Sequence, residues 1–162
     1  MSEEALGFWD FSLAVYGRPG VKEACLDLQS AGFDVNLALF ICWAAFTGRD
    51  PAPALDEAIE TSAIWSGRVV KPLRAARDAL KPAPDFVDAE AAAALRKSIL
   101  ADELEAERLQ QAALEPLAAA CPAHGGDAQE TADAALIAYG AAIGRPVRTG
   151  FVKTIFSAAK NV

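Results

Sequence analysis

From Val35 to Thr47 the chain carries no charged residue; the run reads Val-Asn-Leu-Ala-Leu-Phe-Ile-Cys-Trp-Ala-Ala-Phe-Thr. Asp34 stands before it and Gly48 after it. An aspartate there can N-cap a helix by accepting a bond from a free first-turn N–H. A glycine there can end it in the left-handed conformation that other residues avoid. The run therefore predicts a helix over 35–47, about three to four turns at ~3.6 residues per turn. Its apolar side chains point around the whole circumference, so it has no wet face. A membrane span needs roughly 20 such residues, and this run is too short. The rest of the chain has to wrap it.

The wrapping material is helical. With 162 residues and 53% hydrophobic content, much of it alanine, the chain is long enough for one domain with a sizeable core. Leu6 to Tyr16 predicts a first helix, with Trp9, Leu13 and Tyr16 on one stripe and Phe8, Phe11 and Val15 on another. Gly17-Arg18-Pro19-Gly20 is a turn. Val21 to Ser30 is a second helix, stopped by Gly32. After the central helix, Pro51 and Pro53 open a fourth helix that runs to about Ser62, and a fifth is expected from about Ile64 to Leu80. Pro72 lies inside the fifth, which predicts a kink or break near Arg68–Val69.

Lys81 to Val87 is proline-rich, the one candidate boundary between subregions of a chain otherwise read as a single all-helical domain over 1–162. Asp88 caps a long helix over about 89–120, whose inward stripe, Leu95, Ile99, Asp102 and Glu103, thins as it passes Leu100, Leu104 and Leu109. It either projects from the body or packs along one seam. Asp127 with Glu130 resembles a capping box for a helix to about Ile143. Gly140, Ala141 and Gly144 suit that helix to close packing against another. Thr149 to Ala159 forms a last short helix. The fold class expected is all-α, an irregular bundle of about seven or eight helices around 35–47.

Two stretches carry a likeness to known sequences. Phe8-Trp9-Asp10-Phe11-Ser12-Leu13-Ala14-Val15-Tyr16-Gly17-Arg18-Pro19-Gly20-Val21, followed by Asp34-Val35-Asn36-Leu37-Ala38-Leu39-Phe40, resembles the opening of an uncharacterised proteobacterial family of small helical proteins of unknown function. The likeness continues loosely through Trp65 to Leu80 and shows nothing diagnostic after about Pro116. It implies a helical, cytoplasmic, bacterial protein. It brings no activity, cofactor or catalytic residue with it.

Charge and cysteine usage narrow the function classes. The formal net charge is −7, which argues against a nucleic-acid partner. Cys25, Cys42 and Cys121 are separated in sequence and His124 is the one histidine, so no metal site or cofactor is expected. An odd thiol count points to the cytoplasm. So does Ser2-Glu3-Glu4, which has the wrong charge for a signal segment.

The candidate binding residues are Asp10, Tyr16, Arg18, Arg68, Lys71, Arg74 and Arg77; none is expected to be catalytic. Asp10 sits in an apolar helix, where a buried carboxylate needs a partner; it is either an acid that holds a ligand, or a residue that faces solvent or pairs with Arg18, the nearest cation in sequence. Arg68, Lys71, Arg74, Arg77 and Lys81 recur every three or four residues, with Asp78 the one acid among them. On a helix they wind around the side opposite Val69, Val70, Leu73 and Leu80. Either they are a solvated face paired with acids of the fourth or the long helix, or they meet an acidic partner. The tail repeats the sign with Arg145, Arg148, Lys153 and Lys160.

The function expected from this is a non-catalytic interaction or regulatory module that docks an acidic partner through the helix around 68–81. The alternative is a protein, binding or enzymatic, for an anionic small ligand. Its pocket would be lined by Trp9, Tyr16, Trp43 and Trp65, with Arg18 or Arg74 holding the anion. Oligomeric state is left open by the sequence.

Overall fold

The computed structural model describes residues 5–147 and 150–162; Ser2, Glu3 and Glu4, and Arg148 and Thr149 in the tail, lie outside the described residues. The α-helices are α1 (Phe8–Tyr16), α2 (Val21–Ser30), α3 (Val35–Phe46), α4 (Leu55–Trp65), α5 (Lys71–Ala79), α6 (Ala89–Ala119), α7 (Ala128–Ala142) and α8 (Phe151–Ala159). A 3-10 turn at Ala52–Ala54 leads into α4, and a π-helical turn at Ser66–Val70 joins α4 to α5. The bundle is all-helical, as expected. Among the described residues the one β-type pairing is an isolated antiparallel bridge, Arg49 with Ala123.

α3 is the centre. The Asp34 carboxylate accepts a 3.2 Å bond from the Leu37 amide, and ten of the helix's twelve residues are buried. Leu37, Phe40 and Ile41 have no exposed surface, and each contributes about 1.5–3 kcal/mol by leaving water. The helix ends at Gly48 with φ +88°. There the Arg49 amide reaches back to the Ala44 carbonyl and the Gly48 amide to that of Ala45, a glycine-dependent helix stop. α1, α2, α4, α6, α7 and α8 all contribute side chains to the same core.

Three sequence expectations need correction. The fourth and fifth helices do not separate near Ala63: α4 runs to Trp65 and passes through the π turn into α5. Pro72 still explains the irregularity, because its missing N–H leaves the Arg68 carbonyl without a donor. Gly140 is small for a different neighbour than another helix. A Cβ on it would meet the Arg145 carbonyl oxygen at 2.6 Å and Val147 Cγ2 at 2.8 Å, so it admits the chain's own return after α7.

The third correction concerns α6. It packs along one seam, against α1, α3, α4 and α5, but the seam is not the leucine stripe. Leu95, Leu100, Leu104 and Leu109 are roughly half exposed, whereas Glu103, Gln110 and Gln111 are buried with Ala92, Ala106, Leu114 and Ala118. At about 100° per residue the buried positions fall together. Leu95 with Leu109 flanks them on one side and Leu100 with Leu104 on the other. The inward face of α6 is polar because its partners offer hydrogen bonds.

The candidate functional site

The π turn decides where the basic residues go. One extra residue in a turn rotates everything after it by about 100° relative to a continuous α-helix, and α5 lies along α6. Arg74 Nε donates to Glu103 Oε1 at 3.0 Å and its Nη2 to Glu107 Oε1 at 3.3 Å. Arg77 Nε donates to Glu103 Oε2 at 2.6 Å, and its Nη1 lies 3.4 Å from Asp78. The cations left outward on this segment are Arg68, Lys71 and Lys81, all exposed and in no ion pair among the described residues. Arg74 and Arg77 thus brace α5 to α6.

The brace continues inward as a chain of hydrogen bonds. Gln110 donates to Asp34 at 2.8 Å and accepts from Asn36 at 3.2 Å. Gln111 donates to Asn36 at 2.9 Å and accepts from the Ser12 hydroxyl at 2.9 Å. The Asp34 amide donates to the Tyr139 hydroxyl at 2.9 Å. α1, α3, α6 and α7 are tied by side chains whose loss would each strand a buried partner. Burial pushes Glu103 up, but its bonds to Arg77 and Arg74 hold it below the ordinary carboxylate value. Glu107 is raised by burial, with Arg74 offsetting only part and the charges of Glu103 and Asp34 adding to it. Asp34 is raised by burial despite the bonds from Gln110 and Leu37. Burial takes the Tyr139 phenol to about 12.

Asp10 has no place in this network. It lies exposed in the first turn of α1, where a negative charge suits the helix dipole, and no ion pair joins it to Arg18 among the described residues. The buried polar residue of α1 is Ser12. Glu115 of α6 accepts from the Phe8 amide at 3.3 Å and so caps α1. Tyr16 is about half exposed; burial raises its phenol, and Cys25, Glu107 and Glu23 nearby raise it further. The four aromatics do not share one pocket. Trp43 stacks on Phe8 and donates to the Leu6 carbonyl, while Trp65 donates to the Ala106 carbonyl on another part of α6. His124 is anchored, with its ring nitrogens 3.0 Å from the Ala45 carbonyl and 2.9 Å from that of Gly126. All three cysteines are buried free thiols, and Cys121 donates to the Leu117 carbonyl.

Arg18 is the predicted residue that faces an open concavity. The pocket measures about 440 Å³ and lies between the α1–α2 turn and α8. Arg18 and Gly20 form one wall; Lys153, Thr154, Ser157 and Asn161 form the other. Lys153 and Ser157, four residues apart, share the face of α8 opposite its buried Phe151, Ile155 and Ala159, and Asn161 follows in the turn past the end of the helix. Gly20 takes φ +82°, and a Cβ on it would sit 3.7 Å from Thr154 Cγ2, which closes the turn onto α8. Gly20 brings no side chain to cap α2, so first-turn N–H groups of α2 stay without a side-chain cap beside this wall, in a turn that also carries Glu23. Among the described residues no carboxylate side chain lines the pocket. The sequence showed the sign of Lys153 but not the wall it belongs to. The spacing of 153, 157 and 161 was the available signal.

Residues 7–114 match the model of a family described as Protein of unknown function (DUF2390). The seam from Ser12 to Gln111 lies inside the matched span, as does Arg18, while Tyr139 and the α8 wall lie beyond it. No curated protein and no solved structure matches the chain. Among the described residues no helix is long and apolar enough to cross a membrane, and no cluster of His, Cys, Asp and Glu is placed to hold a metal ion.

Proposed function

Because the chain belongs to the DUF2390 family of proteins of unknown function, we propose its role from geometry alone: it is a non-catalytic binding protein that holds a small anion between Arg18 and α8. One observation carries this reading. A concavity of about 440 Å³ gathers two cationic side chains, two hydroxyls and an amide, and no carboxylate, on a chain whose net charge is −7. Arg18 supplies a planar fork for a carboxylate or phosphate. Lys153 supplies a second positive charge. Thr154, Ser157 and Asn161 supply hydrogen bonds that fix orientation. Buried free thiols fit work in the reducing cytoplasm.

The test is titration of the protein with inorganic phosphate and pyrophosphate, followed by backbone amide NMR at Lys22, Glu23 and Lys153. Saturable shifts in the parent should weaken at least tenfold in the exposed-site variants Arg18→Gln and Lys153→Gln. Shifts that persist unchanged in both variants, or no shift in the parent, would remove the reading.

A second reading, docking of an acidic partner on the α5 side, rests on Arg68 and Lys71, which stay exposed while Arg74 and Arg77 are held by Glu103 and Glu107. Capture of an acidic protein by the parent and equally by Arg68→Glu/Lys71→Glu would dismiss it.

A further inference from the structure

A second concavity, of about 490 Å³, opens where the end of α3 meets the last turns of α6. It shares no lining residue with the Arg18 pocket and does not depend on the reading of that pocket. Its size falls within the range of small-molecule sites. The groove exists because α6 turns small side chains toward it: Ala112 and Pro116, one turn apart, lie on one side of the helix. Trp43 lines it as well, with its indole N–H engaged by the Leu6 carbonyl, so it offers the groove ring carbon. Thr47 lines it too, but its hydroxyl already donates toward the Trp43 and Ala44 carbonyls.

What remains is two opposite charges that do not meet. Arg49 lines the groove, and its Nη1 donates to the Cys121 carbonyl at 2.9 Å, which fixes the guanidinium while leaving its other N–H groups open. Glu115 lines it as well; its Oε1 accepts from the Phe8 amide at 3.3 Å, which leaves Oε2 without a partner among the described residues. Arg49 and Glu115 form no ion pair. Next to Glu115 there is a further acceptor. Pro116 has no N–H to return to the Ala112 carbonyl one turn back, so that carbonyl lacks its helical donor. The groove therefore gathers a carboxylate, a carbonyl and a guanidinium that is not paired with that carboxylate, together with the apolar surface of Trp43, Ala112 and Pro116.

We infer that this groove binds a small zwitterion, a free amino acid or dipeptide with an apolar side chain. The ammonium sits at Glu115 and the Ala112 carbonyl, the carboxylate at Arg49, and the side chain against Trp43 and Pro116. A carboxylate alone would leave Glu115 and the carbonyl facing apolar surface. An amine alone would leave the guanidinium so. Only a ligand with both charges engages both groups, and an analogue that lacks one charge forgoes one charge-assisted contact.

The experiment follows the Trp43 indole resonance in uniformly labelled full-length protein. The probes are L-leucine and glycyl-L-leucine, which differ in the span between charges, with N-acetyl-L-leucine and L-leucine amide as the singly charged counterparts. At least one zwitterion should shift the resonance saturably, and each singly charged compound should bind at least tenfold more weakly. Ala112→Leu, at an exposed position of α6, fills the groove and should abolish the response with the fold intact. Glu115→Gln keeps an oxygen for the Phe8 amide and should weaken zwitterion binding while leaving N-acetyl-L-leucine unaffected. No saturable response to either zwitterion, or equal binding of charged and blocked compounds, overturns the inference.

Discussion

Replacing Glu103 by glutamine should cost the protein about 2–3 kcal/mol. The Glu103 side chain is 7% exposed, and its carboxylate receives Arg77 at 2.6 Å and Arg74 at 3.0 Å. Removing one member of a fully buried ion pair costs about 3–5 kcal/mol, chiefly because the partner charge is stranded. Here the stranding is incomplete. Arg74 keeps Glu107 at 3.3 Å and Arg77 keeps Asp78 at 3.4 Å. Both arginines also retain some solvent contact, with side-chain exposures of 24% and 19%. The estimate therefore falls toward the value of charge-assisted bonds, about 1.5–3 kcal/mol. In urea, with a slope of about 2 kcal/mol per molar, the midpoint should fall by about 1 M. A triple replacement, Arg74→Met, Arg77→Met and Glu103→Leu, should recover most of the loss, since apolar packing can substitute for a whole buried ion cluster. A midpoint shift under about 0.25 M for Glu103→Gln, about 0.5 kcal/mol on the same slope, would refute the brace.

Leu39→Asp or Phe40→Asp should prevent soluble expression, since an unpaired buried carboxylate costs several kcal/mol against a total of ~5–15 kcal/mol; a variant that melts with the parent would contradict the central position of α3. Gly140→Ala should lower the melting temperature by several degrees, about 1–3 kcal/mol of overpacking, because its Cβ would meet the Arg145 backbone at 2.6 Å; calorimetry decides. Glu107 is raised above its unfolded value by burial. Its protonation thus favours the folded state, and that contribution, full below the unfolded value, is lost as pH rises through the folded one. Urea melts across that window should show Glu107→Gln gaining stability relative to the parent as pH rises, and a constant difference would remove the assignment.

The central helix was legible because its signals are local: an uncharged run, a capping aspartate and a stop glycine all sit within fifteen residues. The long helix was legible in extent, through Asp88, but not in orientation. Periodicity placed Leu95 inward, where it is half exposed, and Glu103 inward, where it is buried. What overrode it is non-local: Gln110 and Gln111 meet Asp34, Asn36 and Ser12 across sequence separations of 74 to 99 residues. The basic segment was legible as charge, and pairing with acids of the long helix was one of its expected readings; which cations turn inward was not. The one-residue phase change of the π turn turns Arg74 and Arg77 onto α6. For Asp10 the solvent-facing reading holds and the pairing with Arg18 does not; the inward polar residue of α1 is Ser12, which the sequence did not single out. Of the Arg18 pocket, the sequence offered Arg18 and the positive tail, but nothing in it joined the α1–α2 turn to α8.

The polar inward face of α6 gives that helix two seams to choose between. Rolled by roughly a quarter to a third of a turn, it would bring Leu100 and Leu104, or Leu95 and Leu109, toward the core. A collapse guided by apolar area alone would then settle there. The hydrogen-bonded seam is satisfied in only one rotation, because Gln110, Gln111 and Glu103 must each reach a fixed partner on a different helix. α6 is therefore indexed like a key with its wards turned inward. The leucines on either side provide attraction without direction, and the amides and carboxylates provide direction. A core simplified to leucine along this seam would keep its compactness and lose its single angular setting, and with it the placement of Ala112, Glu115 and Pro116 beside Trp43.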